Sequence, residues 1–599
     1  MPGFLDWYNR ELDALRSRSA DFARRHPKIA ARLRLTGEAV DDPHVERIVQ
    51  SFAYTAARIR QKLDDDFPEL TDTLLEALYP QYLAQIPSMS IMRLEPARDA
   101  DEVIVVPRGT QVDTEAVRGD RCRYVSTQDV ALAPLRIVRA ALERPPFAAP
   151  PLPGHNARGC LSITVEATGA AASLADLSLD RLSFFVNAQF STAAGLFEAV
   201  VNGTRAIAAA EHAGADHVVR LAPREHLKPG GFEDGEAMLP FPLNGFPGFR
   251  LLTEFFALPE KFLFFSVDGL APAFARAGSS LTLWFYLDAA PDALVRAVGR
   301  DTFDLHCTPV VNLFPQRAEP IRVDRTRHEY ELMPDARRNR SREVHSVRSV
   351  TLSDQNGARS AVMPFFGRKP ATRENRAERF WQHKRIAGED EASFTSRLAF
   401  VDLGLDAASP DDGAVLSVDT LCINRGLPEA LPFGGGQPFL TPLDLADRIG
   451  RASLLLPPSA TTRFDRGEGS HWRLVSHLSL NHMPLTAGDP DLLRDILRLY
   501  DFREAQETSA LIEAVVGVSS KRATTRLSDG SIVNGIDITL ELDDTLVDRG
   551  TAFLFGTVLS RFLGLYASIN TFSRLTVKLS GIVVPVARFE PRSAHEVLL

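Results

Sequence analysis

Apolar residues over the first ninety positions recur at steps of three and four, with charge between them and proline or polar residues at the breaks, a pattern that predicts three helices. In the first, Leu5, Tyr8, Leu12, Leu15 and Phe22 share a seam whose remaining position is Ser19, at heptad spacing. The second opens on Asp42 and Pro43, an N-cap side chain followed by a residue whose missing N–H costs nothing at the first helical position. Val45, Ile48, Val49, Phe52, Ala56, Ile59 and Leu63 then form one face. The third carries Leu70, Leu74, Leu75, Leu78 and Tyr82 before Pro87. Such helices can close a core by themselves or complete a bundle with another chain, and Leu12, Leu15, Ile48, Phe52 and Ile59 are the candidate partner-facing residues.

From about Glu102 the period falls to two. Leu161, Ile163 and Val165 alternate with Ser162, Thr164 and Glu166, and Pro107-Arg108-Gly109-Thr110 marks a turn. Leu281, Leu283, Phe285 and Leu287 alternate with Thr282, Trp284 and Tyr286, giving a strand with an aliphatic and an aromatic face that both call for cover. A proline-rich linker is expected at 145–153 and a loop over Leu227 to Phe249. No regular alternation of strand and helix is visible, so antiparallel sandwiches are favoured over parallel units. Past Leu431, Asp489-Pro490 repeats the helix start ahead of Leu492, Leu493, Ile496, Leu497 and Tyr500, a hairpin turns at Asp529-Gly530, and a helix over Phe553 to Ile569 packs on it. The expected fold is multidomain α+β: a helical N-terminal region (1–95), a β-rich, sandwich-like middle (96–430) in two subdomains, and an α+β C-terminal domain (431–599).

Composition narrows the functional classes. Phe is abundant at 36 against 9 Tyr and 4 Trp, and doublets such as Phe184-Phe185, Phe255-Phe256, Phe264-Phe265 and Phe365-Phe366 suit sandwich cores or buried interfaces. A formal charge of −9 argues against general nucleic-acid binding. Four scattered cysteines, Cys122, Cys160, Cys307 and Cys422, form neither a disulfide framework nor a CxxC site, and Asp6, Arg10, Glu11 and Asp13 stand where a signal peptide needs an apolar run, so a cytoplasmic protein is expected. The run Thr551 to Ile569 has bilayer length, but Arg561 lies near its middle and Gly550, Gly556 and Gly564 loosen it; a buried helix is expected.

Candidate chemistry is thin. Gly434-Gly435-Gly436 lacks the Lys-Ser/Thr of a phosphate loop. His471, His477 and His482 stand six and five apart, spacings that fit neither a helical zinc pair nor one strand face. His306 and Cys307 are adjacent and point apart in extended chain, and no GxSxG elbow occurs, so no nucleophile, metal site or cofactor is expected. Asp64, Asp65 and Asp66 end the second helix against its dipole. Arg337, Arg338, Arg340 and Arg342, and the ladder Arg368, Lys369, Arg373, Arg376, Arg379, Lys384, Arg385, alternate with glutamates and read as helix-surface ion pairs, with an acidic partner as the other reading.

Five blocks in order across the chain carry a resemblance: the N-terminal helices, Cys307 to Tyr330, Leu421 to Pro438, Trp472 to Asn481 and Phe555 to Phe572. Together they resemble TssF, the VasA/ImpG family of type VI secretion baseplate subunits. Where that family's pattern has Arg-Gly and then an acid ahead of the penultimate strand, this chain has Asn534-Gly535-Ile536-Asp537, keeping turn and acid without the basic residue. The resemblance implies a non-enzymatic subunit of a contractile injection machine, two copies binding one TssG, joining TssK and TssE around the VgrG spike and docking through the inner-membrane complex at its cytoplasmic side. A wedge protein of a phage or tailocin, or a β-sandwich carbohydrate-active enzyme with two convergent carboxylates, are the alternatives.

Overall fold

The computed structural model describes every residue except 1–3, 33–34, 37–38, 41, 65–74, 76–79, 152–155, 169–172, 242–246, 325–326, 328, 355–356, 366–378, 388–393, 403–412, 464–488, 504, 527–531, 566, 568–570 and 593–599. Contacts divide the chain into a small unit built on the first 83 residues and a large one beginning at Ala84.

In the small unit, helix α1 (Phe4–Arg25) and helix α3 (Pro43–Asp64) pack on each other, with a short helix α2 (Pro27–Arg32) and a two-residue hairpin, Leu35–Thr36 with Ala39–Val40, between them. Helix α3 starts where the Asp-Pro signal places it: the His44 N–H donates to Asp42 Oδ1 at 2.9 Å. Leu12, Ala53 and Ala57 are buried. The third expected helix falls mostly outside the described residues, as do Asp65 and Asp66.

The large unit begins with a closed barrel of six strands in the order Cys307–Val311, Met89–Pro96, Ile449–Leu454, Leu440–Pro442, Gln111–Val117 and Asp120–Ser126. Its interior holds Met92, Leu94, Val112, Cys122, Tyr124, Val310 and Leu454, and the one phenol there is satisfied by Ser88 Oγ at 3.0 Å.

Beside it in sequence lies a sandwich. A five-stranded antiparallel sheet has Ser280–Leu287 at its centre, and a four-stranded one contains Leu182–Val186 and Phe264–Val267. The aliphatic face of Ser280–Leu287 turns to the second sheet, where Phe265 meets Phe285 edge-on at 6.0 Å and stacks with Phe184 at 5.2 Å. The aromatic face is covered too: the Trp284 Nε1–H donates to Ala148 O at 3.2 Å, the Tyr286 hydroxyl donates to Pro150 O, and Phe147 packs on Tyr286. Both faces are therefore dry, and the described part of the proline-rich stretch is fastened along the sheet. Of the expected loop over 227–249, Leu227–Gly230 is instead an edge strand paired with Phe264–Val267, and Pro247 starts helix α5 (Pro247–Ala257), Pro sitting at a helix start as its fixed φ allows. The chain between the central strands also holds helix α4 (Phe190–Val201).

An eight-stranded sheet follows. Its half around Glu343–Ser353 and Val415–Ile423 meets its half around Arg379–Ala387 and Phe394–Asp402 through a parallel joint of two residue pairs, Met363 with Phe380 and Pro364 with Trp381. This corrects the helical reading of the first basic run and of the described end of the second, whose Arg368, Lys369, Arg373 and Arg376 lie outside the described residues. Arg379, Lys384 and Arg385 are strand residues, with Lys384 Nζ on Glu329 at 2.6 Å and Arg385 donating to His345 O at 2.7 Å. Arg338 and Arg342 sit in the turn before Glu343 and face Asp120, 3.5 Å away in each case. Alternating charge satisfies a β ladder as readily as a helix face, so charge spacing alone did not decide the element.

At the C-terminal end, helix α6 (Pro490–Arg498) is capped by Asp489, whose side chain accepts the Asp491 N–H at 3.0 Å. Strands Val515–Arg526 and Ile532–Leu542 form the expected hairpin, its turn lying outside the described residues. Helix α7 (Arg549–Leu565) then crosses to Thr571–Leu579, parallel to Ile532–Leu542, so the expected hairpin and helix are part of a strand–helix–strand unit with parallel pairing. Asn534 and Gly535 lie inside Ile532–Leu542 rather than in a turn. A Cβ on Gly535 would sit 2.2 Å from Phe572 O, so glycine is required by the close approach of the neighbouring strand.

Helix α7 explains the membrane-length apolar run. Phe553 faces Phe197 of α4 at 6.0 Å, Phe555 stacks on Phe255 of α5 at 5.8 Å, and Phe562 meets Phe249 at 6.3 Å, so the helix is apolar all round because protein surrounds it. Its glycines do not loosen it. Gly550 lets the α4 backbone approach, and Gly556 makes room for Val577 and Phe589. Among the described residues no helix is long and apolar enough to cross a membrane.

Candidate assembly surfaces

The polar groups of the interior are committed to structure. Glu254 on α5 accepts the N–H groups of Met238 and Leu239, both at 2.9 Å, and pairs with Lys261, the two charges being fully buried. Burial pushes the Lys261 amine down, against the pull of Glu254. Nothing in the sequence marks this pair, because Glu254 and Lys261 are seven apart and meet only through the end of α5. Glu343, also buried, accepts from Phe394 N and from Arg463 at 2.9 Å and is touched by Gln85.

The adjacent His306 and Cys307 are locked rather than reactive. His306 has a φ of +58° and its Nε2 accepts the Ala133 N–H at 3.3 Å, while burial and then Arg93 lower its pKa to about 4. Burial raises the Cys307 thiol well above its ordinary value, the opposite of what a nucleophile needs. All four cysteines are free and buried. A cavity of about 640 Å³ beside His306 is lined by Glu95 and Asp304 among others; Asp304 is held by Arg93 and Asn187, each at 2.8 Å, and Glu95 by Arg93 at 3.2 Å. Those carboxylates are tied to neighbours instead of converging on the space between them. Gly434, Gly435 and Gly436 all have positive φ and make a tight loop closed by Gly434 and Gln437. His471, His477 and His482 lie outside the described residues, and among the described residues no group of three His, Cys, Asp or Glu is placed to hold a metal ion.

What the protein does present is surface. In the small unit, Arg16 of α1 binds Glu46 of α3 at 2.8 Å, holding that carboxyl below its ordinary range, and Gln50 donates to Glu46 at 3.1 Å. The five candidate residues divide. Leu12 is buried and Leu15 half-buried, whereas Ile48 is 68% and Phe52 63% exposed, one helical turn apart. Ile59 is on α3, with its side chain outside the description. The single seam read from the sequence is thus two: alanines 53 and 57 face inward, and Ile48 and Phe52 turn to solvent with Tyr54 at 48%. Small residues inside and large ones outside invert the usual order for a helix of a lone protein.

The family model for "Type VI secretion system, TssF" matches residues 1–596. The chain belongs to the TssF family. The family member TssF1 of Pseudomonas aeruginosa, a type VI secretion system component, is 32% identical over 604 aligned residues, covering 96% of each chain. A chain of the TssK-TssF-TssG baseplate subcomplex, seen by cryo-electron microscopy, superposes with a TM-score of 0.75 at 26% identity, over 92% of this chain and 99% of that one. A chain of a type VI secretion baseplate complex shares the fold, with a TM-score of 0.62 at 24% identity over 99% and 100% of the two chains. As a member of the TssF family, this chain is a structural component of the type VI secretion baseplate, and the resemblance seen in the sequence holds over its length.

Proposed function

We propose that this chain acts in the baseplate wedge as a scaffold without catalytic activity, two copies binding one TssG, with TssK and TssE joining around the VgrG spike and the assembly docking at the cytoplasmic face of the inner membrane. The observation that carries this reading is the match, over nearly the full length of both chains, to a subunit of a TssK-TssF-TssG complex. Its contact with TssG runs through Ile48 and Phe52, with Leu12, Leu15 and Ile59 as the further candidate residues. Covering two large exposed side chains removes apolar surface from water at about 25 cal/mol per Å², and such residues near the centre of an interface carry most of its energy.

The test is co-expression with TssG. Wild type gives a heterotrimer with two copies of this chain by native mass spectrometry. Ile48→Asp abolishes co-purification while circular dichroism and the melting temperature of the isolated chain stay unchanged, because Ile48 is exposed there. Unchanged affinity would show that the interface lies elsewhere.

A further inference from the structure

The hairpin of Val515–Arg526 and Ile532–Leu542 reaches beyond the rest of its sheet. Its ladder runs out to Arg526 opposite Ile532, whereas Thr571–Leu579 joins only at Asn534. Helix α7 covers the inner part of one face, where Ile538, Leu540 and Leu542 are buried, and it ends at Leu565. Past that end lies a groove of about 700 Å³, with Ile536, Ile538, Leu563 and Ala567 as its floor and Arg522, Thr524, Asn534, Thr571 and Ser573 around it. Ile532, two pleats further out on the same face as Ile536, is 77% exposed.

Arg522 is the charged residue that lines this groove, standing opposite Ile536 in the ladder, whereas Lys521 stands opposite Asp537 and shares that residue's face. Asp537, on the next strand, points to the opposite face and is taken by Arg574 through two contacts of 2.8 Å. Among the described residues no carboxylate pairs with Arg522. An apolar floor, hydroxyl and amide walls and an uncompensated guanidinium suit a short segment that buries one or two apolar side chains and presents a carboxylate.

We propose that this groove docks an acidic, partly apolar segment of a partner chain in the assembled baseplate, continuing the line of α7 along the hairpin. The proposal rests on the baseplate reading above. In the complex purified with TssK and TssG, p-benzoylphenylalanine replacing the exposed Thr524 is photoactivated and the joined peptide sequenced by mass spectrometry. The expected product is a partner peptide with net negative charge and at least one large apolar residue, and Arg522→Glu lowers its yield by roughly fivefold or more. An intact complex that gives no product, a basic peptide, a peptide of this same chain, or a yield unmoved by Arg522→Glu overturns the assignment. Failure of the wild-type chain to join TssK and TssG at all counts first against the baseplate reading, and so is distinguishable.

Discussion

Gly550 offers the sharpest test of how the large unit is held together. A Cβ at this position would lie 2.3 Å from Gly195 N, 2.5 Å from Gly195 Cα and 2.6 Å from Ala194 C, all of them backbone atoms of α4. Ordinary carbon contacts need about 3.5 Å or more, so Gly550→Ala must move one helix away from the other by roughly 1 Å. That shift opens the Phe197–Phe553 contact. Overpacking of this kind costs about 1–3 kcal/mol, and the loss of aromatic contact argues for the upper part of that range. Opposing it is the better helix propensity of alanine, worth at most about 1 kcal/mol. The net expectation is a loss of about 2 kcal/mol, read as a lowered urea midpoint with unchanged slope. Gly195→Ala is the control, since its Cβ would meet only Leu294 methyls at 3.4 and 3.8 Å, and it should be neutral or slightly stabilising. If Gly550→Ala proved as stable as wild type, the helices would not be held by backbone approach, and the packing argument would fail.

Arg561 is half-buried in α7, with its Nε enclosed and its guanidinium 4.0 Å from the centre of the Phe232 ring, and desolvation, then Arg592, lowers its pKa to about 9. Because an unbridged desolvated charge costs more than cation–π contact returns, Arg561→Met should leave stability unchanged or raise it by about 1–3 kcal/mol; a melting temperature several degrees lower would refute this. His345 is buried beside Ser346, and burial followed by Arg385 lowers its pKa to about 3. The unfolded chain takes a proton near pH 6.5 that the folded chain refuses until about pH 3, so this group leaves stability untouched above pH 6.5 and costs up to about 5 kcal/mol as pH falls through that window. His345→Gln should therefore flatten the fall in urea midpoint between pH 6.5 and 4, and an unaltered slope would count against it.

The parts of the fold that local signals specify were legible in the sequence. Asp42-Pro43 and Asp489-Pro490 each start a helix, since capping is decided within four residues, and Leu161 to Glu166 alternates as written. What the sequence hid depends on distant partners. The barrel joins strands more than 300 residues apart, and no local pattern announces such closure. Gly550, Gly556 and Gly564 read as weak points because propensity counts only the helix itself, while their role comes from what lies against them. At the candidate interface, the 3.6-residue period read Val45, Ile48, Val49, Phe52, Ala56, Ile59 and Leu63 as one face and passed over Ala53 and Ala57, because which face a helix buries depends on residue size as well as period: the two small alanines are buried and the bulky Ile48 and Phe52 are exposed.

The parallel joint between Met363–Pro364 and Phe380–Trp381 gives the eight-stranded sheet a defined seam. On one side Val415–Ile423 and Glu343–Ser353 share a ladder of nine residue pairs, and on the other Arg379–Ala387 and Phe394–Asp402 share another nine. The backbone pairing between the halves is short, but Arg385 on His345 O, Phe394 N on Glu343 and a core shared by Val344, Leu352 and Leu398 also cross it. The joint is therefore a seam in the hydrogen-bonding pattern alone, and because side chains and a common core cross it the two halves are expected to move together.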